Sequence, residues 1–218
     1  AAVACRERLG CVSAERIWQE LAKLLAARRP GRWMPAEIFK TILPELDLAH
    51  YAAALRTVDA LPPDPLTRLA ALLAPSGPAG TAAALARLRC SGAEAAAVRT
   101  LAAESGLALT GEPPRLQARR LLVRLEPDAV RRLLALRQAQ TGEAGFGTVA
   151  AAAEQLLAEH ACCRVGQLAV NGRDLLALGV RPGPAVGRLL AAALTEVAEE
   201  RLPNDRAALL GWLQQQTE

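Results

Sequence analysis

Residues 168–190 read LAVNGRDLLALGVRPGPAVGRLL, and a second apolar stretch, LPNDRAALLGWL, follows from Leu202. Asp174, Leu175, Leu176 and Leu178 form one short apolar segment; Gly187, Leu189 and Leu190 open another. Gly179 and Pro182-Gly183-Pro184 lie between them. Glycine takes positive φ without steric cost, and proline fits the first turn of a helix. The order therefore predicts two helices around a tight hairpin. Leu175, Leu178, Val186 and Leu190 are expected to close a small core. Pro182-Gly183 suits a turn with positive φ at glycine and no room for a side chain.

The same helical grammar runs outward. Ser13 precedes Ile17, Leu21, Leu24 and Leu25, which recur at 3.6-residue spacing until Arg29-Pro30-Gly31 ends the run. Pro35 opens a helix through Leu43, and Asp47 is placed to cap Leu48–Leu61. Further helices are expected at Pro65–Leu73, Thr81–Leu88, Ser91–Ala103, Arg115–Leu125, Asp128–Ala139, Val149–His160, Arg173–Leu178, Pro184–Glu200 and Asn204–Gln215. Gly142–Gly147 reads as a linker or hinge, and Val165–Val170 is the sole strand candidate. The expected fold is all-α, an array of about eleven short helices.

Composition agrees. Hydrophobic residues make up 52% of 218, much of it alanine, and aromatics only 3%. The core must be built of Leu and Ala. No unbroken apolar run reaches the ~18 residues of a membrane span, so no membrane partner is expected. The five cysteines, Cys5, Cys11, Cys90, Cys162 and Cys163, make no C-x-x-C pair and read as free thiols of a cytoplasmic protein. Neither His50 nor His160 is followed by Asp, so a histidine–aspartate metal motif is missing.

The net charge of +4 is unevenly spread. Residues 61–140 carry 11 basic and 6 acidic groups, and residues 141–218 carry 6 and 9. Most of the excess lies in Arg115, Arg119, Arg120, Arg124, Arg131, Arg132 and Arg137. Such a stripe is either a phosphate-binding surface or a set of solvated helix faces. The hairpin is likewise either plain scaffold or a phosphate seat at the start of its second helix, flanked by Arg173, Arg181 and Arg188.

Four stretches in order carry a family resemblance: VSAERIWQELAKLL from Val12, ILPEL from Ile42, PLTRLAALL from Pro65, and the hairpin segment. Together they resemble the neck, body and tail of the bacterial CCA-adding tRNA nucleotidyltransferases and the related poly(A) polymerases. The resemblance implies a neck-like segment at 1–60, an Arg-rich helical body at 61–140 and a tail at 141–218. It implies that Arg16, Glu20 and Lys23 on one helix face brace a nucleotide-recognition helix; the plain reading is a surface ion-pair ladder. It implies tRNA as partner, and Mg²⁺ with CTP and ATP as requirements of the full enzyme. The family's Asp-x-Asp pair is not found in these 218 residues, where every Asp stands singly. No catalytic or metal residue is therefore assigned, no cofactor is assigned to this chain, and the chain alone is expected to be inactive. The alternatives are a poly(A) polymerase C-terminal region and a non-catalytic helical RNA- or protein-interaction module. Scarce aromatics argue that recognition rests on backbone charge rather than on base stacking.

Overall fold

The computed structural model describes residues 12–216. Twelve α-helices occur among them: α1 (Ala14–Ala26), α2 (Ala36–Ile42), α3 (Tyr51–Ala60), α4 (Pro65–Leu73), α5 (Gly77–Arg87), α6 (Gly92–Ala103), α7 (Pro114–Arg124), α8 (Pro127–Thr141), α9 (Gly145–Ala158), α10 (Gly172–Ala177), α11 (Pro184–Ala198) and α12 (Arg206–Gln215). No strand is present among the described residues. The fold is all-α.

Capping chemistry sets many of the ends. The Ser13 hydroxyl accepts from the Arg16 amide at the start of α1. Ser91 with Glu94, and Asn171 with Asp174, form reciprocal capping boxes on α6 and α10. The Asp205 carboxylate accepts from the Ala207 and Ala208 amides and starts α12. Two expectations need correction. Asp47 does not cap a helix at Leu48: its carboxylate accepts from the Ala49 amide and pairs with His50 at 2.7 Å, a local turn that delays α3 to Tyr51. Val165–Val170 is not a strand but opens with a 3-10 turn, Val165–Gln167. Residues 142–144 separate α8 from α9, which begins at Gly145 with the Phe146 side chain fully buried. A Cβ on Gly147 would lie 3.3 Å from Gln138.

The chain divides into two compact units, each drawn from two stretches. The first comprises residues up to Ala108 and Arg131–Gly147; the second comprises Leu109–Val130 and Thr148 onward. These units are defined by packing, whereas the segments 1–60, 61–140 and 141–218 are defined by composition and resemblance.

In the first unit α4 is the central element, packed against α1, α3 and α6. Leu69–Leu73 are buried without exception. Burial of that many leucines supplies about 1.5–3 kcal/mol each before chain entropy is counted. The Arg68 guanidinium is buried and donates to the carbonyls of Leu25, Ala27 and Leu61. It satisfies the C-terminal ends of α1 and α3, which carry orphan carbonyls. The stretch Pro65–Arg87 is long and apolar enough, by length and composition, to cross a membrane. Its α4 portion is the unit's core.

In the second unit α11 packs against α7, α10 and α12. Leu168, Val170, Leu175, Leu190, Leu194, Leu209 and Leu213 form its apolar centre, with Leu178 and Val186 packed against it. The expected hairpin core is present.

Candidate nucleic-acid interface

The arginines of α7 are turned to internal use. Arg115 makes two hydrogen bonds to Glu159, at 3.3 and 2.5 Å, and lies 3.9 Å from Glu200. Arg119 is only 12% exposed; it pairs with Glu200 at 3.1 Å and reaches the Val197 carbonyl at 3.4 Å. Arg120 grips both oxygens of Glu199, at 2.5 and 2.7 Å, and also binds Glu112. The physical reason lies in α11. Its C-terminus ends on Glu199 and Glu200, where negative charge opposes the helix dipole. The α7 arginines neutralise that end. Their hydrogen bonds hold the Glu112, Glu159 and Glu199 carboxyls below the usual glutamate range. Arg132 pairs with Asp64 at 2.9 Å, and Arg137 donates to the Ser105 and Leu107 carbonyls. Arg124 and Arg131 also have interaction partners.

The tail is different. Arg173, Arg181 and Arg188 are exposed, and none forms an ion pair among the described residues. They lie on α10, in the turn that follows it and on α11, respectively. Gly183 in that turn has φ +139° and ψ −162°, a region essentially confined to glycine. A Cβ at Gly183 would meet nothing within 4 Å, so glycine is required by the backbone angle and not by lack of space. Asp174 does not compete for these arginines; Arg206 holds it at 2.6 Å.

On α1 the side chains of Glu20 and Lys23 are exposed and pair at 3.0 Å. Arg16 is exposed and takes no part in that pair, so the three residues do not form a continuous ladder. The helix's buried face is Trp18, Leu21 and Leu25 instead.

The sequence reading missed the segment Arg28–Trp33. Trp33 is 61% exposed, with the Arg32 guanidinium 4.9 Å from its ring centroid. Arg28 and Arg29 are exposed beside it. Arg29-Pro30-Gly31 had a legible role as a helix stop; Arg28 before it and Arg32-Trp33 after it were the available signal.

Four aspartates each have a partner of their own. Asp47 pairs with His50, Asp59 accepts from the Gly31 amide, Asp64 binds Arg132 and Thr67, and Asp174 binds Arg206. Two-metal phosphoryl transfer needs ions about 3.5–4 Å apart held by converging carboxylates. No group of three or more potential metal ligands converges among the described residues. Cys90, Cys162 and Cys163 are free, and burial pushes the Cys90 thiol up to about 11. Cys5 and Cys11 lie outside the described residues.

A family model for tRNA nucleotidyltransferase domain 2 matches residues 69–213. The chain belongs to this tRNA nucleotidyltransferase family. The matched region takes in α5 to α11 in full, including the α7 arginines and the hairpin. Over 45 residues the chain is 49% identical to a CCA-adding enzyme of Limosilactobacillus fermentum, covering 21% of this chain and 11% of that one. Over 43 residues it is 46% identical to a CCA-adding enzyme of Levilactobacillus brevis, covering 20% and 11%. Its fold is similar to that of the Bacillus stearothermophilus CCA-adding enzyme crystallised with CTP, with a TM-score of 0.73 at 21% identity. That likeness covers 99% of this chain and 55% of the solved one.

Proposed function

We propose that this chain is the C-terminal, tRNA-binding portion of a CCA-adding tRNA nucleotidyltransferase. In this reading residues 1–60 are the neck, 61–140 the body and 141–218 the tail. They hold a tRNA so that its 3′ end meets a head domain, which adds nucleotides from CTP and ATP with Mg²⁺ in the cytoplasm. The observation that carries the proposal is the family match over residues 69–213, on a fold that aligns along 99% of this chain with a CCA-adding enzyme. No group of three or more potential metal ligands converges among the described residues, and no chemical step is assigned to them.

The contribution of these residues is to bind and orient. Arg173, Arg181 and Arg188 are the best-placed RNA contacts, since none must first break an ion pair to meet a phosphate. The α7 arginines would have to give up Glu159, Glu199 or Glu200. The exposed Arg16, Glu20 and Lys23 face of α1 remains available to brace a nucleotide-recognition helix.

The test uses a tRNA lacking its terminal CCA. The chain is expected to bind it with strong salt dependence, and to incorporate no nucleotide when given CTP, ATP and Mg²⁺. Incorporation that co-purifies with the chain would place an active site within it. Absence of binding at about 50 mM salt, where phosphate contacts are strongest, would remove tRNA as partner.

A further inference from the structure

The segment Arg28–Trp33 exposes the side chains of Arg28, Arg29, Arg32 and Trp33. Its backbone, by contrast, is firmly held. The Ala27 carbonyl accepts from buried Arg68. Pro30 is buried, and the Gly31 amide donates to Asp59 at 2.8 Å. A Cβ on Gly31 would stand 2.8 Å from the Asp59 carboxylate, so a larger residue there would push that side chain aside. Met34 is buried, and its carbonyl accepts from the Tyr51 hydroxyl at 3.0 Å. Arg29 sits in the left-handed region at φ +50°, uncommon for a residue with a side chain. A loop fixed at both ends thus displays a tryptophan that is 61% exposed, the largest exposed apolar side chain among the described residues. Arg32 stacks beside the indole at 4.9 Å.

The electrostatics select a partner class. Arg28, Arg29 and Arg32 are exposed, and none forms an ion pair among the described residues. From Arg28 to Lys40 the chain carries four basic groups and one acidic group, Glu37. Asp59, the acid nearest the loop, is occupied by the Gly31 amide. A flat aromatic face beside unpaired guanidinium groups suits a chain that alternates flat bases with phosphates. Every base has a π-face, and stacking on an aromatic side chain is tolerant of sequence. Holding the platform in place beforehand lowers the entropy lost on binding.

We propose that Arg28–Trp33 is a stacking platform for an unpaired nucleotide of a bound RNA, with the base on Trp33 and the adjoining phosphates on Arg28, Arg29 and Arg32. The proposal rests on the RNA-binding reading above but concerns a different surface, in the first compact unit. It also revises the expectation that stacking plays little part: aromatics are scarce in this chain, yet one is displayed.

The 218-residue chain is titrated with a single-stranded oligoribonucleotide of about 12 nucleotides, within the span such sites cover, and with a blunt RNA duplex of equal length. Tryptophan fluorescence is expected to be quenched by the single strand. Trp33→Leu should weaken single-strand binding about fivefold or more while leaving duplex binding nearly unchanged. Trp33→Phe should retain most of it. Arg28→Gln/Arg29→Gln/Arg32→Gln should flatten the salt slope by about 2, at roughly 0.7 per phosphate. Single-strand affinity unchanged in Trp33→Leu overturns the platform, as does equal competition by polyglutamate, which would mark an acidic-protein surface. A tRNA titration separates this proposal from the one it rests on. If substituting Arg173, Arg181 and Arg188 abolishes tRNA binding while the loop variants bind as the parent does, the platform falls and the tail reading stands. If the parent binds no RNA at all, both fall.

Discussion

Arg115, Arg119 and Arg120 on α7 and Arg173, Arg181 and Arg188 around the tail hairpin lie in the same compact unit, and their surroundings are opposite. The first three are bound to Glu159, Glu199, Glu200 and Glu112. The second three are exposed without an ion pair among the described residues. In the linear sequence the first group stands out and the second is diluted among acids. Folding reverses the picture, because glutamates about 80 residues downstream return to neutralise α7. A basic run is thus a poor guide to a phosphate surface until its acidic partners are located. The bare arginines sit in the more acidic segment, yet of the two groups it is they that need no rearrangement to meet an anion.

The strongest way to break this comparison is through the turn that carries the bare set. Gly183→Val forces a β-branched residue into φ +139°. Space is open, so the cost is backbone strain of about 1–3 kcal/mol. Denaturant unfolding should show that loss, and RNA affinity should fall with the hairpin's geometry. A variant that unfolds with the parent's midpoint would mean the hairpin backbone relaxes freely. Next in size is Arg119→Gln. It removes a largely buried guanidinium from Glu200 and the Val197 carbonyl. Glu200 is itself 59% exposed, so screening limits the loss to about 1–2 kcal/mol. RNA affinity should hold. Reduced affinity at unchanged stability would reverse the roles assigned to the two groups.

Acid sharpens the contrast further. The Glu199 carboxyl is held below the usual range, first by its hydrogen bonds to Arg120, and Glu159 likewise by Arg115. Both groups are more acidic folded than unfolded. Their contribution is therefore complete above the ordinary glutamate value of 4.5 and is lost as pH falls through the lower, folded value. Thermal melts in low salt should be flat down to about pH 5 and then decline. High salt should shrink the decline, and most at Arg115–Glu159, the more open of the two pairs. A melting temperature that rises on acidification would contradict the pairing.

Local chemistry was readable in advance where a short motif acts on its own backbone. Ser13 and Ser91 start helices as expected, and Pro182-Gly183-Pro184 turns the chain as its residues require. Asp47 failed as a cap because His50, three residues on, captured its second oxygen. Gly142–Gly147 is linker only in its first half: α9 begins at Gly145, and Phe146 is buried. Pairs such as Arg120 with Glu199, and the pinning of Gly31 by Asp59, depend on tertiary return of the chain and leave no local trace. One clue was available: two glutamates at the end of a helix are unfavourable alone and imply a cationic neighbour. The exposed Trp33 could not be distinguished from a core aromatic by type, and only the structure shows that it faces water.

The smallest stability change, and the most discriminating, is expected from the tail arginines themselves. Arg173→Gln, Arg181→Gln and Arg188→Gln remove exposed side chains that hold nothing in place. Each should alter folding stability by no more than about ±0.5 kcal/mol. Binding is another matter. If each guanidinium neutralises one phosphate of duplex RNA, three contacts give a salt slope near −2.7 on a logarithmic scale, by analogy with B-DNA. That is roughly a fortyfold loss of affinity between about 50 and 200 mM salt, and the triple variant should lose this dependence. The matching control is Arg115→Gln/Arg120→Gln, which should unfold earlier yet keep the slope. Electrophoretic mobility shifts with tRNA across a salt series, beside thermal melts of both variants, read the two quantities separately. Should the slope vanish in the α7 variant and survive in the tail variant, ion pairs seen within the chain are exchanged for phosphates on binding, and the bare arginines are merely solvated.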